Sequence, residues 1–220
     1  MQGNEGSKNG TYLHLLRVGF KAFKDGLREA KRSYYAGQVE SVPAELQPAV
    51  SNADLKAIQR KALLHTLVKG TMDFQLGSIK GTIYGGPYRS KPSDIIHGVN
   101  MAKEIKAHAT IYVPTVDFSI PDSNTFLLGL IRGVLVLREH GEIYVGCMGG
   151  IGRTGLYLGG LAKIMYLAGE LDVTPDGQLA PYVKYVRDNY YGHAIETIEQ
   201  LDFLARLDVS GITKELHSIA

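Results

Sequence analysis

The stretch from Glu142 to Ala168 constrains this 220-residue chain more than any other. Glu142-Ile-Tyr-Val145 is a short β-branched run, and it leads straight into Gly146-Cys147-Met148-Gly149-Gly150-Ile151-Gly152-Arg153-Thr154-Gly155. From Arg153 to Ala168 the chain is then apolar on almost every side, Lys163 apart. A helix that is apolar all round has to be enclosed by other elements. A strand, a Gly-rich loop and the N-terminus of a buried helix in succession make an anion trap. Backbone N–H groups converge on the loop's centre and the helix dipole adds positive potential there.

The rest of the chain supplies what such a unit needs around it. Thr11 to about Tyr35 reads as a helix with Leu16, Phe20, Phe23, Leu27 and Tyr34 on one stripe. Its other face carries Arg17, Lys21, Lys24, Arg28, Lys31 and Arg32 against Asp25 and Glu29. A second helical pattern covers Ala53 to about Lys69. Short strands are expected at Phe74–Leu76 and Gly81–Tyr84, with Gly85-Gly86-Pro87 as a turn. A helix from about Ser93 to Lys106, a strand at Thr110–Val113, a loop at Pro114–Pro121 and a helix at Ser123–Glu139 precede the Glu142 strand. Helices at about Pro175–Tyr190 and Thr197–Leu207 close the chain. Strand and helix alternate from residue 72 onward. The expected fold is therefore α/β, a central, mainly parallel sheet flanked by helices, with an N-terminal helical extension. The expected organisation is a disordered tail at 1–10, the helical extension at 11–71 and the α/β domain at 72–220.

Composition excludes several classes. At 45% apolar and 21% charged the chain is neither disordered nor fibrous, and 24 basic against 22 acidic side chains give no default nucleic-acid or membrane partner. One cysteine excludes an internal disulfide and points to a reducing, cytoplasmic setting. The first ten residues are polar, unlike a signal peptide. The longest apolar stretch, Phe126–Leu137, is too short to span a bilayer.

In the anion trap, Cys147 is more than a small buried hydrophobe. The helix N-terminus and the Arg153 guanidinium both favour its thiolate, and a thiolate in a phosphate cradle is a nucleophile aimed at phosphorus. Met148, Gly149, Gly150, Ile151 and Gly152 offer backbone amides. Arg153 offers a planar fork for two oxygens. Arginine and amides neutralise the charge, so no metal and no cofactor is expected. With ten arginines and 22 Ser plus Thr in the chain, Arg at +6 and a hydroxyl at +7 arise by chance in roughly 1 of 200 such chains. A P-loop NTPase is excluded because no Gly-Lys-Ser/Thr ends the loop. A dinucleotide fold is excluded because no acidic partner follows in a βαβ context.

Cys147 to Thr154 resembles the Cys-x5-Arg-Ser/Thr signature of the cysteine-dependent protein tyrosine and dual-specificity phosphatases, closest to the small dual-specificity or archaeal type. The resemblance covers roughly Tyr112–Leu207. It implies a protein tyrosine phosphatase-like fold, a cysteinyl-phosphate intermediate and a general acid on a loop about 30 residues ahead of the cysteine. Val113-Pro-Thr-Val-Asp117-Phe-Ser-Ile-Pro-Asp122 is similar to that loop, and Asp117 lies 30 residues before Cys147. Asp122 is the fallback, against its reading as a cap of the following helix. The resemblance gives Thr154 the hydroxyl that bonds the sulfur. It places Glu196 where the family has a water-positioning glutamine, and leaves Gln200 as an auxiliary group, against a capping box at Thr197-x-x-Gln200. The family usually has His before the cysteine; this chain has Gly146. His140 reads as a solvent-exposed turn residue.

No lysine lies inside the loop, which favours a monophosphate ester on a protein: phosphotyrosine, with phosphoserine and phosphothreonine if the pocket is shallow. Tyr84, Tyr88 and Arg89 are candidate pocket walls. Two alternatives stand beside this: a phosphatase on RNA 5′ ends or nucleotides, suited to the basic Arg17–Arg32 face, and a phosphate-binding pseudophosphatase, supported by Gly146 and Glu196.

Overall fold

The computed structural model describes residues 66–174 and 177–220, together with Ala53, Lys56, Ala57, Arg60 and Leu64. The expectations for residues 1–52, including the basic face from Arg17 to Arg32, lie outside the described residues. Those described between Ala53 and Leu67 are helical, as the Ala53–Lys69 pattern predicts. Arg60 ties that segment to the sheet through two bonds to Glu142, 2.8 and 3.0 Å.

β1 (Gly70–Leu76) and β2 (Ile79–Pro87) form a tight hairpin in which Met72, Phe74, Leu76, Ile79 and Ile83 point into the core. β3 (Gly98–Ala102), β4 (Ile111–Thr115) and β5 (Glu142–Cys147) complete a five-stranded sheet of order β1-β2-β5-β3-β4. Only the β1–β2 pair is antiparallel; β2–β5, β5–β3 and β3–β4 are parallel. The mainly parallel α/β sheet expected from the strand–helix alternation is present.

Five helices follow: α1 (Ser123–His140), α2 (Gly152–Leu167), α3 (Pro181–Asn189), α4 (Ile198–Arg206) and α5 (Ser210–Ser218). α2 is buried from Gly152 to Met165 because it packs against β1, β3 and β5 and against α1, α3, α4 and α5. Its apolar character on all sides is the direct consequence. Lys163, the exception, donates to the carbonyls of Leu204, Ala205 and Leu207 at 2.7, 3.1 and 2.7 Å and so satisfies the end of α4. Among the described residues no helix is long and apolar enough to cross a membrane.

Three local expectations are corrected. The segment read as a helix at Ser93–Lys106 contains β3 instead. Met101-Ala-Lys-Glu-Ile-Lys106 has helical propensity, but Gly98–Ala102 is buried at every position between β5 and β4, and a strand covered on both faces shows no alternation to announce it. The Gly85-Gly86-Pro87 turn is the end of β2, in parallel register with Val145-Gly146-Cys147. The helix expected from Pro175 begins at Pro181, with proline at its first position. α5 was not anticipated.

Candidate active site

Parallel strands bring their C-terminal ends to one edge of a sheet, where α/β folds bind ligands. Here those ends are Pro87, Ala102, Thr115 and Cys147. Ala102 and Thr115 are register partners, so Glu104 and Asp117, each two residues further on, emerge side by side. Both meet Arg153 from the first turn of α2. Arg153 Nη1 donates to Glu104 Oε2 (2.8 Å) and to the Thr115 carbonyl (2.9 Å). Nη2 donates to Glu104 Oε1 (2.7 Å) and lies 2.8 Å from Asp117 Oδ1.

The Arg153 side chain is 1% exposed. Burial alone would loosen its hold on the proton. The Glu104 hydrogen bonds and the charges of Cys147 and Asp117 outweigh this and raise its pKa further. The same bonds hold the Glu104 carboxyl below the usual carboxylate range.

The loop after β5 curls over the cysteine. Gly150 N–H donates to Cys147 Sγ at 3.2 Å. Gly150 adopts φ 69°, and a Cβ there would sit 2.2 Å from the Gly86 carbonyl carbon, so no other residue fits. Cys147 is 3% exposed while Met148 and Gly149 face solvent. Two buried polar atoms in this region have no partner among the described residues: Arg153 Nε and Thr154 Oγ1. The bond from Thr154 to the sulfur that the resemblance implies is therefore not formed here. Buried polar groups left open in a native site call for an explanation, and an incoming ligand oxygen is one.

Gly146 has a steric explanation. A Cβ at this position would come within 2.7 Å of Tyr88 Cα and 2.9 Å of the Gly86 carbonyl oxygen. β2 and the turn after it occupy the space a histidine would need. Tyrosine hydroxyls brace the region: Tyr144 donates to the Pro87 carbonyl at 2.8 Å, and Tyr190 donates to the Gly150 carbonyl.

The other candidates separate cleanly. Asp122 caps α1, accepting from Thr125 N–H and Oγ1, both at 2.9 Å, and the Thr125 amide holds its carboxyl below the usual range. Gln200 is fully buried, and its N–H donates to Thr197 Oγ1 at 3.1 Å as the helix cap. Its side chain accepts from Glu196 N–H (2.9 Å) and donates to the Ser119 carbonyl (3.3 Å), which ties α4 to the Asp117 loop. The exposed Glu196 carboxylate lies over Gly152, where a Cβ would be 2.3 Å from Oε2. Tyr88 is buried, donating to the His108 carbonyl at 2.8 Å, and Tyr84 lines a cavity with Arg60 and Leu64; neither is a wall of this site. His140 stacks on His97 with ring centres 4.1 Å apart. A cavity of about 480 Å³, lined by Lys103, Glu104, Val116, Asp117 and Met148, opens beside the loop.

Two residues at this site were missed in the sequence, Glu104 and Tyr190. The usable signal for Glu104 was its place after a strand end, equivalent to that of Asp117. None was available for Tyr190, whose contact with the loop spans 40 residues of chain.

The chain resembles phosphatases of known structure. No family model matches it, and no curated protein matches it. Similar solved structures include Tk-PTP in its active form, with 22% identity over 61% of this chain and 95% of that one and a TM-score of 0.43. A kinase associated phosphatase with a serine substituted for its catalytic cysteine is similar at 15% identity over 62% of this chain and 92% of that one, TM-score 0.42. The tyrosine phosphatase OH1 from the Orf virus is similar at 16% identity over 68% and 95%, TM-score 0.36.

Proposed function

We propose that the chain is a metal-independent phosphomonoesterase acting on phosphorylated protein, a tyrosine or dual-specificity phosphatase that works through a cysteinyl-phosphate intermediate. The observation that carries this reading is the convergence, at one strand-end edge, of Cys147 Sγ under an N–H of its own loop, a buried guanidinium with an unsatisfied Nε, and the Asp117 carboxylate on that guanidinium.

The chemistry follows from these parts. The loop amides and Arg153 bind the phosphoryl oxygens. The Cys147 thiolate attacks phosphorus, an S–P bond forms and the P–O bond to the leaving group breaks, while protonated Asp117 gives its proton to the departing oxygen. In the second step ionised Asp117 takes a proton from water, the water oxygen attacks phosphorus, and the S–P bond breaks to return the thiolate and release inorganic phosphate. Arriving phosphoryl oxygens compete with Asp117 for the same guanidinium. Positive charge comes from Arg153 and the helix end, so the cycle uses no metal.

The rim supports an aryl ester. Val116, Phe118 and Met148 are 55%, 61% and 43% exposed beside the acid and the loop, an apolar frame for a phosphotyrosine ring. The test is hydrolysis of para-nitrophenyl phosphate and of phosphotyrosine and phosphothreonine peptides in the presence of a chelator, with Cys147→Ser as control. Turnover abolished by that substitution is expected. Phosphate binding without turnover by the native chain would make it a pseudophosphatase, and hydrolysis of triphosphorylated RNA alone would move the substrate class.

A further inference from the structure

A trans peptide is planar, with its carbonyl and its N–H pointing in opposite directions. The Gly149–Gly150 peptide gives its N–H to Cys147 Sγ, and the carbonyl of the next peptide, Gly150–Ile151, accepts a hydrogen bond from the Tyr190 hydroxyl. Tyr190 stands at the end of α3 and is 6% exposed, part of the hydrophobic core. With the carbonyl held by that hydroxyl, the N–H of Ile151 points to the opposite side of the peptide, away from Tyr190. Glycine at 150 makes this peptide the easiest in the loop to rotate, since both signs of φ and a wide range of ψ are open to it. A flipped peptide would put a carbonyl oxygen where the anion belongs.

The seat for Tyr190 is built into the strands. A Cβ on Gly85 would lie 2.5 Å from ring atom Cε2 and 2.9 Å from the hydroxyl oxygen, and one on Gly70 would lie 2.9 Å from Cδ2. Both strands leave the ring its room, and the hydroxyl meets the loop and not solvent.

We propose that Tyr190 is a positioning residue: its buried hydroxyl locks the Gly150–Ile151 peptide in the orientation that presents the Ile151 N–H to a bound tetrahedral oxyanion. This rests on the phosphate-cradle reading given above.

Tyr190→Phe removes the bond and keeps the ring. With inorganic phosphate and tungstate as probes, the substitution is expected to weaken binding by about tenfold, the size of one lost hydrogen bond to a charged group. KM for an aryl phosphate should rise in parallel, with a smaller change in kcat and a modestly lowered thermal midpoint, since the Gly150 carbonyl loses its buried partner. Tyr185→Phe serves as the comparison, because its hydroxyl donates to the Asp73 carbonyl at 3.0 Å, outside the loop; it should leave both constants unchanged. In the native chain, phosphate titration followed by amide NMR should shift the Ile151 N–H strongly, a readout that does not need the variant to fold. Oxyanion affinity within twofold of native in Tyr190→Phe, an equal loss in Tyr185→Phe, or an unmoved Ile151 amide would overturn the assignment. A native chain that turns over substrate while Tyr190→Phe matches it sinks only the role of Tyr190; one that neither binds phosphate nor turns over sinks the cradle reading as well.

Discussion

Glu104→Ala takes two charge-assisted hydrogen bonds, 2.7 and 2.8 Å, from a guanidinium that is 1% exposed. Each such bond contributes about 1.5–3 kcal/mol when formed to a charged group. The Glu104 side chain is 37% exposed, so solvent screening trims the sum, while the Thr115 carbonyl and Asp117 remain as partial partners. The net cost is about 2 kcal/mol. With urea slopes of about 1–3 kcal/mol per molar, the unfolding midpoint should fall by about 1 M at pH 7. Loss of the same energy in the transition state corresponds to about a thirtyfold fall in kcat/KM. The effect has a pH signature. Arg153 depresses the Glu104 carboxyl below its ordinary value of 4.5, so its contribution is complete above about pH 4.5 and is lost as pH falls through the lower folded value. The stability gap between native chain and variant should therefore close in acid. The assay is urea denaturation by circular dichroism between pH 3 and pH 7. An unchanged midpoint at pH 7, or a gap independent of pH, would refute the view that Glu104 anchors the guanidinium.

Further predictions separate role from scaffold. Asp117→Asn should lower kcat by about 10²–10⁴ with substrate binding retained, whereas Asp122→Ala should cost about 1 kcal/mol of stability as a lost cap and leave kcat near native; steady-state kinetics and thermal melts read both. Gly146→His, which installs the residue usual in the phosphatases this chain resembles, should destabilise by more than about 3 kcal/mol, because even a Cβ overlaps the Tyr88 backbone; a stable, more active variant would contradict the steric account. Lys163→Met should cost about 2–3 kcal/mol by leaving the carbonyls that end α4 unpaired in the core, seen as a lowered urea midpoint with unchanged KM.

The sequence announced the loop because its signal is local: one strand, a curl that glycine alone permits at position 150, and a helix with no polar face. Asp117 was singled out through the family resemblance, by its place 30 residues ahead of Cys147, and it lies 2.8 Å from the Arg153 guanidinium. β3 was not legible. A strand buried on both faces loses its alternation, and Met101-Ala-Lys-Glu carries helical propensity that only its neighbours override. Misreading it hid Glu104, because a helix would have placed that carboxylate among ordinary exposed side chains and not at a strand end beside Asp117. Tyr190 and the crowding at Gly146 depend on contacts between segments far apart in the chain, which no local pattern encodes.

The proposed cycle turns on a covalent bond between phosphorus and Sγ of Cys147, the one cysteine of the chain. Rapid acid quench of the native chain with excess aryl phosphate, followed by mass spectrometry of its single cysteine-containing peptide, tests this directly. A phosphoryl adduct on Cys147 is expected, accumulating when Asp117 is replaced by Asn and an activated leaving group is used, and absent in Cys147→Ser. Turnover that persists in Cys147→Ser, or an adduct found on another side chain, would contradict it.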